Sequence, residues 1–304
     1  MNERTTDNPF RPHTPVWQLE NFFGRSREAK LVLQSLRNGQ CVSIVGPPKR
    51  GKTSFLNYIA DIDVFQRYAL RVGEHIFVRI DVKSVQGLSL ADVEQETCFF
   101  CLRGEIIQQV KESNITLAQK LEQATEQVRL HTAYFGLTTL FRTAFENGLK
   151  PIVVLDNFDS LAMNTRLSEN FFTALRAFAT SHYMAYLIAS QHPIHELEKV
   201  RIEASPLFSD FYHIVLAPFS SEESREFVAA ILDRVNVQLP VFVIDHILEL
   251  GCNEPYCLQL AGYHTFEVWR EKGKKLLPED CEEIERRFEA ALNKEQKEGM
   301  EKRV

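Results

Sequence analysis

The stretch Cys41–Ile59, CVSIVGPPKRGKTSFLNYI, constrains this chain more than any other part of it. A short apolar run stops at Gly46, a loop rich in proline and base follows, and Gly51-Lys52-Thr53 leads into a segment with helical character. Gly46 to Thr53 fits G-x-x-x-x-G-K-[ST] without a mismatch, and the strand before and helix after are the flanks that pattern needs. The chemistry follows from backbone geometry. Gly46 is expected to let the chain turn off the strand, and Gly51 to let N–H groups approach phosphate oxygens. The N-terminus of the following helix adds unpaired donors and a positive dipole end. Lys52 is expected to reach β- and γ-phosphates, the Thr53 hydroxyl to ligate Mg2+, and Ser54 to contact the α-phosphate region. Pro47, Pro48, Lys49 and Arg50 complete the loop, its two bases either neutralising phosphate charge or facing water.

A strand–loop–helix of this kind belongs in a parallel sheet, and the rest of the pattern agrees. Near-continuous apolar runs at 41–45, 76–82, 151–155, 185–189 and 212–216 read as strands, those at 41–45 and 151–155 of the type buried on both faces. Helical patterns from Phe22 to Gln34, over 89–149 (with breaks near Ser113-Asn114 and Gly136) and from Leu167 to Thr180 alternate with them. The expectation is an α/β fold, a P-loop parallel sheet with helices on both faces. After Leu216 the strand signals stop. Ser220-x-x-Glu223 is a capping box, Leu239-Pro240 starts another helix that ends at Gly251, and Pro255 and Pro278 fit first turns of two more. The predicted organisation is an extended N-terminal arm over 1–20, a core over 21–217, and a small all-helical domain over 218–304 with a charged last helix.

The partner of a phosphate loop is a carboxylate ending a neighbouring buried strand. Pro151-Ile-Val-Val-Leu-Asp156-Asn157-Phe158-Asp159 supplies one, and Asp156 is expected to hold Mg2+. Guanine specificity usually travels with Asn-Lys-x-Asp, whereas the only Asn-Lys here, Asn293-Lys294, continues as Glu-Gln in a terminal helix. Adenine is favoured, so the expected ligand is ATP with Mg2+. The 304 residues carry a net charge of −6, which gives no global basic field to draw in nucleic acid. No apolar run approaches a membrane span and the N-terminus has no signal-peptide core, so the reading is cytoplasmic, its six cysteines reduced. Cys98-Phe-Phe-Cys101 has half a zinc spacing but sits in an apolar helical run, which favours packing.

In order along the chain, these features resemble the STAND-class, AAA-like P-loop ATPases of prokaryotes over roughly residues 8 to 270. Asn8-Pro9-Phe10 and Asn21-Phe22-Phe23-Gly24-Arg25 resemble the upstream "hhGR" signature, in which backbone beside the apolar pair cradles adenine. Asp156-Asn157-Phe158-Asp159 resembles the Walker B "hhhhDxxD". Ser205 to Phe211 and the following IVLAPFSSEES resemble the passage into a helical lid. Gly251-Cys-Asn-Glu-Pro255 resembles the lid motif whose proline packs on the nucleotide, with looser spacing. By the same resemblance, Ser190 or Gln191 stands where a polar residue touches the γ-phosphate or the attacking water, and Arg176 or Arg201 is a candidate arginine finger. His192 and His195 read as loop histidines.

Two departures matter. Many relatives carry a water-orienting Glu directly after the Walker B Asp, where this chain has Asn157. An amide takes no proton at neutral pH, and losing a positioned base costs about 10²–10⁴ in rate. Asp159 is the candidate stand-in, or else a capping or solvated acid. Sensor and effector segments usual in STAND proteins are also missing beyond the lid. The resemblance therefore implies an ATP-dependent switch with slow hydrolysis, read by a separate effector or sensor chain. The alternative is a homo-oligomeric ATPase that loads on DNA through Lys49, Arg50, Arg201, Arg225, Arg234 and the bases of 270–275.

Overall fold

The computed structural model describes residues 7–68, 70–71, 73–85, 87–126, 133–199 and 211–301. The chain divides into two compact units, one of Arg25–Pro48 and Lys52–Leu216, the other of Met1–Gly24, Lys49–Gly51 and Ala217–Val304.

The first unit is a five-stranded sheet with helical crossovers. Strands β1 (Val42–Val45), β2 (His75–Asp81), β3 (Lys150–Asp156), β4 (Ala185–Ser190) and β5 (Tyr212–Val215) pair in the order β2-β3-β4-β1-β5, every pairing parallel. β1 and β4 are buried along their whole lengths and β3 along all but its first residue. That explains why these runs carry no polar alternation: both faces of a central parallel strand must be apolar. The connecting helices are α1 (Ser26–Arg37), α2 (Lys52–Ile59), α3 (Ile62–Arg67), α4 (Gln95–Ser113), α5 (Ile115–Glu126), α6 (Ala133–Glu146), α7 (Phe158–Ala162), α8 (Glu169–Thr180) and α9 (Ile194–Lys199). The order places β4 between the strand that feeds the phosphate loop and the strand that ends in Asp156.

Two local expectations are corrected, and one short helix was not anticipated. The first helix starts at Ser26 rather than Phe22, because Gly24 (φ 72°) and Arg25 (φ 62°) both take left-handed conformations that a helix cannot include. Gly136 does not break its helix; it lies buried within α6, facing the Arg103 side chain of α4. The six-residue α3 is too short to show a period and starts on the Asp61 carboxylate, which accepts from the Asp63 N–H at 2.9 Å. Arg201 and the segment from Ser205 to Asp210 lie outside the described residues.

The second unit packs α10 (Ser221–Asp233), α11 (Val241–Gly251), α12 (Pro255–Glu271) and α13 (Asp280–Glu301) around one apolar cluster. The expected capping box opens α10: Ser220 Oγ accepts from Glu223 N at 3.1 Å, and the Glu223 carboxylate accepts from Ser220 N at 2.7 Å. Pro255 occupies the first turn of α12. Residues Asn8 to Arg11 of the N-terminal segment pack onto this core. Phe10 is 1% exposed within the cluster, Asn8 Nδ2 donates to Tyr263 O at 3.0 Å and Glu267 Oε1 at 2.8 Å, and Arg11 N donates to Gln259 Oε1 at 2.8 Å. Among the described residues no helix is long and apolar enough to cross a membrane.

Candidate nucleotide site

The phosphate loop leaves β1 at a buried Gly46, whose N–H donates to Ser190 O of β4 at 3.2 Å. Gly46 itself needs no special backbone angle. The left-handed positions are Lys49 (φ 66°) and Gly51 (φ 84°), and a Cβ added at Gly51 would meet nothing within 4 Å. The turn is thus made at the loop's far end, over open space. Lys52 and Thr53 open α2, with Ser54 in its first turn. The Lys52 ammonium donates to Gly46 O at 2.5 Å and Pro47 O at 2.9 Å, so the loop's own carbonyls hold the cation beneath it.

Thr53 Oγ1 donates to Asp156 Oδ2 at 2.7 Å, joining two residues 103 positions apart. Asp156 is 6% exposed, and its other oxygen, Oδ1, accepts from Asn157 N at 2.9 Å. Hydroxyl and carboxylate oxygens in direct contact are the hard donor set that Mg2+ takes. The neighbouring strand adds a residue that sequence reading did not single out. Asp81, the last residue of β2, stands in register opposite Asp156. Its Oδ1 accepts from Asn157 Nδ2 and Lys83 N, both at 3.0 Å. Asn157, held at φ 59°, therefore bridges two carboxylates. Two residues back on β2, Arg79 is partly buried. Burial pulls its guanidinium below the ordinary value, and the charges of Asp156 and Asp81 act in the opposite direction. The signal for Asp81 was present, an acid ending the run IFVRID, but only strand order brings it beside Asp156.

At the end of β4 the expected polar residue turns inward. Ser190 is 0% exposed and its hydroxyl donates to His192 O at 2.7 Å, so it shapes the turn after the strand. Asp159, in the first turn of α7, grips that same turn. Its Oδ2 accepts from Gln191 N at 2.7 Å, and its Oδ1 accepts from His192 N at 3.2 Å and lies 3.3 Å from His192 Nδ1. Each oxygen of Asp159 thus accepts from a backbone N–H of the Gln191–His192 turn.

The remaining candidates separate. Arg25, 6% exposed, pairs with Glu28 at 3.2 Å on α1. Phe23 packs edge-on to Phe219 and tilted against Phe227 in the helical unit, where Gly24 also meets the Phe219 ring; Phe22 is half-buried beside them in sequence. Lys49 and Arg50 both have acidic partners. Within the helical unit, Lys49 pairs with Glu295 and lies 4.0 Å over the Tyr256 ring. Arg50 makes a two-point bond with Glu254, Nη2 to Oε1 and Nε to Oε2, both 2.7 Å. Burial works to raise the Glu295 carboxyl, but Lys49 and Tyr256 bring it below the ordinary carboxylate range. Glu254 directly precedes Pro255, and neither it nor Glu295 carries a sequence signal. Among the described residues no cluster of His, Cys, Asp and Glu could hold a metal by itself, and all six cysteines are free thiols.

A parallel sheet in this order, a G-x-x-x-x-G-K-T loop on β1 and an acid on β3 hydrogen-bonded to its threonine define a P-loop NTPase of the STAND/AAA-like type. A family profile described as Novel STAND NTPase 2 matches residues 47–301, and the chain belongs to that family. The fold is shared by a Walker-type ATPase of Pyrococcus abyssi (TM-score 0.65, 19% identity, covering 97% of this chain and 80% of that one). It is shared too by the ORC2 protein of Aeropyrum pernix, solved in ADPNP–ADP complexes (0.63, 15%, 94% and 72%). Cdc6p of Pyrobaculum aerophilum is more distant (0.52, 15%, 88% and 66%). Comparison with curated protein sequences finds no significant match.

Proposed function

We propose that this chain binds ATP with Mg2+ on the loop Gly46–Thr53, hydrolyses it slowly, and serves as a nucleotide-dependent switch read by a partner protein chain. The observation that carries the reading is the 2.7 Å bond from Thr53 to Asp156, which brings together oxygen donors 103 positions apart in the sequence. Lys52 would meet the β- and γ-phosphates, and Thr53 and Asp156 would hold the metal. The ion supplies charge neutralisation on the transferring phosphoryl group. Ser54 would sit at the α-phosphate, while Phe22, Phe23, Gly24 and Pro255 are the proposed adenine-side contacts and 218–304 the lid.

Slow turnover rests on Asn157, which cannot itself take a proton in the place directly after Asp156, so that any base has to act from another position. The DNA-loading alternative needs available cations. Arg225 pairs with Asp245 at 2.7 Å, Arg234 donates to Asn21 Oδ1 at 2.8 Å, and Lys272 pairs with Asp280 at 3.1 Å. Those pairings, with the net charge of −6, favour the protein-partner reading.

The test is to denature freshly purified protein and identify any nucleotide released, beside Lys52→Ala. Wild type is expected to release adenine nucleotide and to bind ATP by calorimetry, and the variant to do neither. Wild type that carries none and binds none would overturn the reading.

A further inference from the structure

The place after the metal-binding Asp156 is filled by an amide, yet that amide touches a carboxylate. Asn157 Nδ2 donates to Asp81 Oδ1 at 3.0 Å, while the Asn157 backbone N–H donates to Asp156 Oδ1 at 2.9 Å. Asp81 and Asp156 are register partners on adjacent parallel strands, which lie about 4.8 Å apart. The second donor to Asp81, Lys83 N at 3.0 Å, falls on the same Oδ1. Among the described residues no protein donor meets Oδ2, and Asp81 is exposed. One oxygen is thus fixed by two N–H groups and the other faces solvent beside the metal-binding aspartate. Asp159, the acid the sequence pattern suggests, has the opposite character, with both oxygens holding the Gln191–His192 turn.

We infer that Asp81 supplies the general base of this site and that Asn157 is its positioning residue, the carboxylate having moved from the acidic strand to its neighbour β2. The inference rests on the ATPase reading above. In the step, water oxygen bonds to the γ-phosphorus and the bond from that phosphorus to the β,γ-bridging oxygen breaks. Its electron pair leaves with ADP, and the water proton passes to Asp81 Oδ2 and on to solvent. The Asn157 amide keeps Oδ1 engaged, so that Oδ2 is the oxygen presented to water.

The test is single-turnover hydrolysis of γ-labelled ATP together with equilibrium ATP binding, for wild type, Asp81→Asn, Asp81→Asn/Asn157→Glu and Asp159→Asn. Asp81→Asn is expected to slow cleavage by about 10²–10³, within the range for a lost base, with ATP affinity kept within about threefold. The double variant returns a carboxylate to the other end of the same hydrogen bond and is expected to regain at least about tenfold. The acid limb of the wild-type pH–rate profile should vanish in Asp81→Asn. Cleavage by Asp81→Asn within about threefold of wild type, or loss confined to Asp159→Asn, would overturn the assignment and leave the ATPase reading standing. Wild type that binds ATP but cleaves none also overturns it. Wild type that binds no ATP sinks the ATPase reading itself. If Asp81→Asn melts early, Asn157→Gly removes the positioning bond while keeping the left-handed backbone at φ 59° and should slow cleavage about tenfold; an unchanged rate there counts equally against Asp81.

Discussion

Phe10 and Gly262 make a sharp test of whether the N-terminal segment is part of the helical unit. A Cβ built on Gly262, in the middle of α12, would lie 2.2 Å from Phe10 Cε1 and 2.4 Å from Cδ1. The ring cannot swing aside, because Phe10 is 1% exposed in the core cluster. Truncating it by Phe10→Ala should cost about 3–5 kcal/mol, roughly 2 M of urea at an m-value of about 2 kcal/mol per M. Gly262→Ala alone gains about 1 kcal/mol of helix propensity but overpacks the ring at a cost of about 1–3 kcal/mol, so it should destabilise or, at most, break even. In the Phe10→Ala background the obstruction is gone, and the same substitution should stabilise by about 1 kcal/mol. The two tryptophans, Trp17 and Trp269, both belong to this unit, and Trp269 is 8% exposed in the same cluster. Urea titration followed by tryptophan fluorescence therefore reports the right transition. Equal effects of Gly262→Ala in the two backgrounds would refute the packing argument, and a Phe10→Ala loss below about 1 kcal/mol would return the segment to the status of a loose arm.

Three further outcomes follow from particular groups. Asp159→Asn should speed hydrogen exchange at the Gln191 and His192 amides, because an amide presents one acceptor where the carboxylate offers two; unchanged protection would argue that Asp159 does not hold that turn. Burial keeps the imidazoles of His75, His213 and His264 below the ordinary 6.5. The unfolded chain therefore binds more protons between those folded values and about 6.5, and stability, complete above that pH, should fall as the solution is acidified through it. A urea midpoint higher at pH 5.5 than at pH 7.5 would contradict this. Burial pushes the Cys41 thiol up to about 11 and Cys98 up to about 12, while Cys252 is exposed. Native protein should give a thiol reagent Cys252 quickly and Cys41 and Cys98 only on denaturation, with no zinc in metal analysis; fast labelling of Cys98 would refute its burial, and bound zinc would reopen the metal reading of its CxxC.

The sheet was legible because its physics is local in sequence. A parallel strand buried on both faces needs an unbroken apolar run, and β1, β3 and β4 each have one. Helix starts were legible where a side chain caps them, as at Ser220, or where a proline fits the first turn, as at Pro255. What could not be read depends on pairing across the chain. Phe10 looks like one more residue of a Pro-rich arm until α12 closes over it. Gly24 and Arg25 interrupt a helical pattern through backbone angle, which periodicity does not record. The acidic partners of Lys49 and Arg50, Glu295 and Glu254, stand more than 200 residues away, where no local pattern records them.

The acids show most clearly where a motif stops being informative. Asp156 and Asp159 sit three residues apart after one apolar run, and on sequence alone both are candidates for the same chemistry. The strand ends at Asp156, and the chain then turns through a left-handed Asn157 into α7. That turn points the first carboxylate at Thr53 and the second at the backbone after β4. The insertion of β4 between β1 and β3 is what makes the second contact available, since it brings the Gln191–His192 turn next to the acidic strand. One acid of the pair is therefore spent on fixing the neighbouring loop. A further carboxylate comes from β2, where strand pairing sets Asp81 opposite Asp156. The acids at this edge are distributed over adjacent strands, and it is the order of those strands, more than the spacing of residues within any one motif, that decides which groups each acid meets.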